Sequence, residues 1–154
     1  MKRISILLAS TLLLGCGGGS GDSNFFAGVW RLIIVTTENT CPFQVDPGDF
    51  IATVNQMDNK IVLEKASGTI LEGTTDSDSS FIVSRQETVN CVSNSTGAVL
   101  PNSFTTFTES IRFSNIDGDD AAVRITREYS NCSGNTVTDS SCRIIGEGSG
   151  ERID

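Results

Sequence analysis

The side chains that could do chemistry in this sequence are mainly cysteines and carboxylates. The 154 residues include five Cys, 19 Asp and Glu, 11 Lys and Arg, and no His. The absence of His excludes Ser-His-Asp and Cys-His catalysis and His-ligated zinc. The net charge of −8 argues against nucleic-acid binding, which needs clustered Lys and Arg. Acid pairs such as Asp46 and Asp49 could act in acid–base chemistry, but nothing marks either as buried. We therefore expect no enzyme and no cofactor.

The first cysteine follows an apolar segment. Lys2 and Arg3 precede an apolar run over 4–14, which is shorter than the roughly 20 residues that span a membrane and fits the h-region of a signal peptide. The residues that end this run, Leu13-Leu14-Gly15-Cys16, resemble the lipobox of bacterial lipoproteins. The resemblance implies a signal peptide over 1–15 and lipidation of Cys16, including palmitate. The alternative is an ordinary secretory signal with a chance cysteine.

A Gly/Ser-rich segment follows the first cysteine and predicts a flexible tether over 16–24, ahead of a folded domain over 25–154. In lipoproteins, Asp directly after the lipidated Cys favours retention in the inner membrane. Gly17 stands there, so the resemblance implies a lipid anchor in the outer membrane. The domain would then face the periplasm, with the cell surface as the other possibility.

The other four cysteines indicate disulfides. An even set in an exported domain is typical of two bridges, and no Cys-x-x-Cys or His points to a metal site. Three pairings are possible in principle. The four residues are Cys41, Cys91, Cys132 and Cys142.

The elements that must position these residues are strands. Apolar or β-branched runs between turn signals predict strands near 27–37, 49–57, 60–66, 69–74, 79–91, 104–115, 120–132 and 142–149. Phe107, Ile111 and Phe113 alternate with polar residues, as do Val123 and Ile125, which indicates a sheet packed on one side. We expect an all-β, eight-stranded antiparallel up-and-down meander barrel. The alternative is a two-sheet β sandwich of the same strands.

The connections favour the meander. Alternate connections of an up-and-down sheet lie at the same end, and the long connections over 38–48 and 92–103 fall on one rim. The four cysteines gather on that rim too. The simplest pairing joins Cys132 to Cys142 across the last hairpin and Cys41 to Cys91 across the mouth, provided that the two long loops meet.

The start of the first strand resembles a known family. Phe26-Ala27-Gly28-Val29-Trp30 is similar to the Phe-x-Gly-x-Trp opening of the lipocalins and the wider calycin group. The resemblance implies an eight-stranded barrel with a pocket at one end. Gly28 and Trp30 would close the other end, with Arg152 packed over the indole. No second lipocalin motif and no helix after the last strand appear. The alternative is a core Trp beside a glycine bulge.

The barrel interior carries the expected function. Aromatic residues could line a pocket or simply fill it, since eight strands leave room for packed side chains or one small ligand. The candidates are Phe50, Phe81, Phe107 and Tyr129. We expect a non-enzymatic, lipid-anchored envelope protein that binds a small apolar or amphipathic ligand. The alternative is a structural or protein-interaction lipoprotein with a solid barrel and an acidic, disulfide-pinned loop rim that contacts an envelope protein.

Two acidic runs are expected to be turns. Asp117-Gly118-Asp119-Asp120 and the run over 76–79 could offer oxygen ligands to Ca²⁺. Neither has the downstream Glu spacing of an EF-hand loop, and Asp-Gly is a strong hairpin signal. We therefore predict no metal site.

Overall fold

The computed structural model describes residues 25–44, 46–93, 98–130, 132 and 141–154. The predicted signal peptide, the predicted lipidation site Cys16 and the whole of the predicted tether lie outside these residues. The eight strands are β1 (Gly28–Asn39), β2 (Phe50–Met57), β3 (Lys60–Lys65), β4 (Ile70–Ser77), β5 (Ser80–Val92), β6 (Val99–Asp117), β7 (Asp120–Tyr129) and β8 (Cys142–Arg152). Among the described residues, no helix is long and apolar enough to cross a membrane.

The strands form a closed barrel in chain order. Each strand pairs antiparallel with the next, and β8 pairs with β1 to close the sheet. Trp30 lies opposite Arg152 at one end of this closing ladder, and Asn39 lies opposite Ile144 at the other. The predicted up-and-down barrel is confirmed, and the β-sandwich alternative is wrong. Each of the eight strands therefore has two hydrogen-bonded neighbours along at least part of its length.

Turn residues set the hairpins at the end of the barrel where β1 begins. Asp58 has φ of 56° between β2 and β3, and Gly118 has φ of 63° between β6 and β7. Both lie in the left-handed region, which Gly, Asn and Asp adopt most readily. The Asp117-Gly118 hairpin predicted from the sequence therefore follows from local backbone preferences.

Half of one predicted loop is strand. The connection expected over 92–103 is shorter, because β6 begins at Val99 rather than near 104. Asn90 pairs with Phe104 but Val92 pairs with Val99, so the register shifts at this point. Asn102, with φ of 64°, lies within the extra residues of β6. A bulge of this kind accommodates Pro101, which cannot donate a ladder hydrogen bond.

The half of the barrel around Trp30, here called the closed half, is filled by side chains. The Phe81 and Phe113 rings stack with centroids 4.5 Å apart, and the Trp30 ring meets Phe113 edge to face at 5.4 Å. On β8, Gly150 faces the bulky residues of β1. A Cβ there would lie only 2.9 Å from Leu32 Cδ2. Glycine on one strand thus makes room for large residues on its neighbour.

Two disulfides pin the opposite rim, but not in the expected pairs. The bridges are Cys41–Cys142 and Cys91–Cys132, with Cα atoms 4.9 and 5.9 Å apart. The predicted disulfides are therefore confirmed, while the pairing of Cys132 with Cys142 and of Cys41 with Cys91 is wrong. Barrel closure gives the reason. Because Asn39 lies opposite Ile144, two further residues along each strand bring Cys41 beside Cys142.

Candidate functional site

A charged cluster occupies the half of the barrel next to the loop rim, here called the rim half. The inward positions of four strands are apolar in the closed half and become charged one position further toward the rim. On β6, Ile111 and Phe113 are fully buried and Glu109 follows them with 1% exposure. The corresponding residues on β3, β5 and β7 are Lys65, Arg85 and Arg127.

The three cations converge on one carboxylate. Lys65 Nζ lies 2.8 Å and Arg85 Nε 3.1 Å from Glu109 Oε2. Arg127 Nε lies 2.8 Å from Glu109 Oε1. The cation side chains retain only 11–27% exposure. Both oxygens of Glu109 are thus engaged by charge-assisted hydrogen bonds or close ion pairs.

The cluster carries a positive excess inside an acidic protein. Three cations face one buried carboxylate, and the only further carboxylate paired with them among the described residues is the half-exposed Glu87, 2.9 Å from Arg85 Nη1. Burial alone would raise the pKa of Glu109, but hydrogen bonds and charge from Lys65 and Arg127 outweigh burial and lower that pKa. Burial also lowers the pKa of Lys65, although Glu109 opposes this shift.

Aromatic rings stand beside the cations. Lys65 Nζ lies 5.0 Å from the centre of the Phe50 ring, and Arg85 Cζ lies 5.2 Å from that of Phe107. These are cation–π distances. The ring of Tyr129 contacts Phe107 at 4.9 Å between centroids. Burial raises the pKa of the Tyr129 phenol, so its hydroxyl stays protonated at neutral pH.

Charged and aromatic groups line one cavity of about 320 Å³. Its size is at the lower end of the range of small-ligand pockets, roughly 300–1,000 Å³. Its walls combine apolar rings with convergent polar groups, which suits an amphipathic molecule. The lining residues are Pro47, Phe50, Lys65, Ser67, Thr69, Arg85, Phe107, Glu109, Arg127 and Tyr129.

The structure brings three of the four aromatic candidates together. Phe50, Phe107 and Tyr129 line the cavity. Phe81 does not, because it is fully buried in the closed half against Phe113. The expectation that Phe81 belongs with the other three is therefore corrected: it packs the core.

The three residues named from the lipocalin resemblance lie together at the far end of the closed half. Trp30 is fully buried, and its Nε1 donates a hydrogen bond to Phe26 O at 3.2 Å. Arg152 Cζ lies 5.2 Å from the centre of the indole. Gly28 has φ of 147°, and a Cβ at this position would lie 2.7 Å from Arg152 Cδ. Glycine therefore lets the arginine cover the tryptophan.

The sequence interpretation missed the four charged residues of the cluster, although a signal for them exists. Glu109 stands between Phe107 and Ile111, and Arg127 stands between Ile125 and Tyr129. Each occupies an inward position between two inward aromatic or aliphatic neighbours on its strand. A charged residue at such a position means either that the strand does not alternate there or that the charge lies inside the barrel. Four charged residues at the same level of the barrel indicate that the charges lie inside.

Other acidic candidates lie elsewhere. Asp46 and Asp49 are exposed on the connection between β1 and β2. Asp76 on β4 forms an exposed ion pair with Arg112 on β6, on the outer surface of the barrel. Asp119 contacts Arg152. Within the described ranges, no group of three or more His, Cys, Asp or Glu is placed to hold a metal ion.

Comparison with protein-family models, with curated proteins and with solved structures finds no match to this chain. We therefore infer function from the geometry of the rim half and from the sequence motifs.

Proposed function

We propose that this protein is a lipid-anchored, non-enzymatic binding protein of the bacterial envelope that holds a small amphipathic molecule in the rim half of its barrel. The cavity beside Glu109 carries the proposal, because it places apolar rings and charged groups around one ligand-sized space. Phe50 and Phe107 would contact the apolar part of the ligand, and the charged cluster would contact its polar end.

The anchor in this proposal comes from the lipobox-like segment. Lipidation of Cys16 would hold the protein at the outer membrane, with the domain on its periplasmic face. Several acyl chains bind a membrane far more firmly than one, since each buried methylene adds about 0.8 kcal/mol. Cys16→Ser should abolish labelling by a palmitate analogue and release the protein into the soluble envelope fraction. Labelling that persists in this variant would contradict the anchor.

Binding in the cavity is tested with the Cys16→Ser chain, which carries no acyl chains on residue 16. The neutral fluorescent lipophile N-phenyl-1-naphthylamine should bind saturably at one site per chain. Thr69→Trp should block binding, because Thr69 lines the cavity. Ile70→Trp is the matched control, since the neighbouring Ile70 is exposed on the barrel surface. Absence of saturable binding, or equal binding to both variants, would contradict a ligand-binding function.

The packed closed half favours a second candidate, a protein-interaction role at the rim. Trp30, Phe81 and Phe113 leave that half solid. A photo-cross-linker in place of Val99, which is 61% exposed near the rim, would then give one specific protein adduct in cells. A cross-linker in place of the exposed Met57, in the hairpin between β2 and β3, serves as the control. Equal adducts from both positions would count against this role.

A further inference from the structure

We infer that the ligand is an amphiphile with an anionic head group, carboxylate or phosphate, and that Glu109 is an internal counter-ion that holds the receiving cations in place. Lys65, Arg85 and Arg127 would form the receiving site. This inference rests on the proposed function and specifies the ligand's polar end. Three partly buried cations share one buried carboxylate.

Unlike a neutral ion pair, the cluster of three cations and Glu109 carries an excess of positive charge. A buried cation needs compensation by an opposite charge or by hydrogen bonds. Glu109 supplies one negative charge against three positive ones, and Glu87 is half exposed, so solvent screens its charge. A further negative charge entering the cavity would therefore find an attractive field in a chain whose net charge is −8.

The arginines retain donors for such a group. Arg127 pairs with Glu109 through Nε alone, at 2.8 Å. Arg85 uses Nε for Glu109 and Nη1 for Glu87. Neither guanidinium forms the two-pronged pair with Glu109 that arginine can make with a carboxylate or phosphate. Within the described residues, the terminal nitrogens of Arg127 are thus left to a second anion.

The walls fit the remainder of such a molecule. The rings of Phe50 and Phe107 flank the cations and line the same cavity. The neutral hydroxyl of Tyr129 can donate one more hydrogen bond to a head group. A molecule with the same tail and a cationic head would instead meet Lys65 and the two arginines and be repelled.

The test uses the Cys16→Ser chain and four probes that share one alkyl tail: octanoate, octyl phosphate, octan-1-ol and octylammonium. Calorimetry should give octanoate or octyl phosphate an affinity at least about tenfold above that of octan-1-ol, with octylammonium weakest. The better of the two anions identifies the head group as carboxylate or phosphate. Equal affinity for octan-1-ol and both anions would overturn the anionic head group and leave the proposed binding function standing. No binding of any probe would overturn both.

Glu109→Gln tests the counter-ion. The amide keeps the size and an oxygen acceptor but removes the competing charge, so octanoate affinity should rise by about tenfold relative to octan-1-ol affinity. Octanoate should also raise the melting temperature of this variant more than that of the parent. The control is Arg124→Gln, an exposed residue whose partner Glu147 lies 3.1 Å away on the outer surface. Unchanged octanoate affinity in Glu109→Gln would contradict the counter-ion role.

A second variant decides the question if Glu109→Gln does not fold. Arg85 is the most exposed of the three cations, at 27%, so Arg85→Gln should be tolerated. It should lose most of the preference for octanoate over octan-1-ol. An unaltered preference would show that the cluster serves folding alone and would overturn the inference.

Discussion

The closed half and the rim half of this barrel use the same strands and the same inward alternation, but they are filled differently. In the closed half, Trp30, Phe81 and Phe113 pack against one another and exclude solvent. In the rim half, the inward residues are Glu109 and its cations, beside a cavity of about 320 Å³. A short barrel can thus obtain its stability from one end and leave the other end for the ligand binding that we propose.

The difference also explains where covalent cross-links occur. The closed half buries enough apolar surface to hold its strands together. The rim half contains ions and a cavity, which contribute less, and there both disulfides join the ends of non-consecutive strands. The disulfides thus lie at the end of the barrel where apolar packing is weaker.

The largest expected effect on stability is in the closed half. Phe113→Ala should lower the free energy of unfolding by about 3–5 kcal/mol, because it leaves a cavity between Trp30 and Phe81. Phe50→Ala, at a partly buried residue of the rim half, should cost less than about half of that. Urea denaturation of both variants measures the comparison. Equal losses would show that the two halves contribute alike.

Loss of a disulfide should cost somewhat less. Replacing both Cys41 and Cys142 with Ser should destabilise the protein by about 2–4 kcal/mol. The same change at Cys91 and Cys132 should cost about 0.8 kcal/mol less, because that bridge closes 41 rather than 101 residues. Denaturation under non-reducing conditions tests the order. The reverse order would show that the two bridges act mainly through native-state contacts.

Glu109→Gln should have a smaller, pH-dependent effect of about 1–3 kcal/mol at neutral pH, since its partners are partly hydrated. The folded-state pKa of Glu109 is lowered from 4.5. Its charge therefore stabilises the fold above about pH 4.5, and this contribution is lost as pH falls through the folded-state pKa. The stability difference between parent and variant should shrink accordingly in denaturation curves at successive pH values. Glu147→Gln, at an exposed pair, is the control. A constant difference would contradict the assigned charge state.

The smallest effect belongs to the outer surface. Arg124→Gln breaks an ion pair whose two side chains are about half exposed, so its cost should stay below about 0.5 kcal/mol. Thermal denaturation at low and high salt measures it. A cost comparable to that of Glu109→Gln would mean that the two faces of the barrel do not differ in electrostatic environment.

Much of the fold could be predicted because local patterns specify it. Alternation located the strands, and the Asp117-Gly118 pair marked a hairpin. The extension of β6 through Pro101 could not be predicted, because it depends on a register shift opposite Asn90. The register of a bulged ladder is a property of two strands together, which a single strand's sequence does not contain.

The candidate site was predicted only in its apolar part. Phe50, Phe107 and Tyr129 were found, because aromatic residues on an inward face indicate a pocket wall. Glu109 was missed, because its burial becomes favourable only when cations from three other strands reach it. The disulfide pairs were missed for a related reason: Cys41 meets Cys142 only once β8 closes on β1.

The central claim, that ligand recognition is confined to the rim half, is tested most directly by backbone amide chemical shifts during titration with octanoate. If the ligand binds in the rim half, concentration-dependent shifts should occur at Phe50, Phe107, Glu109 and Tyr129. No shifts should occur at Trp30 or Phe113. Shifts centred on Trp30, or spread over exposed residues of the outer surface, would contradict this claim.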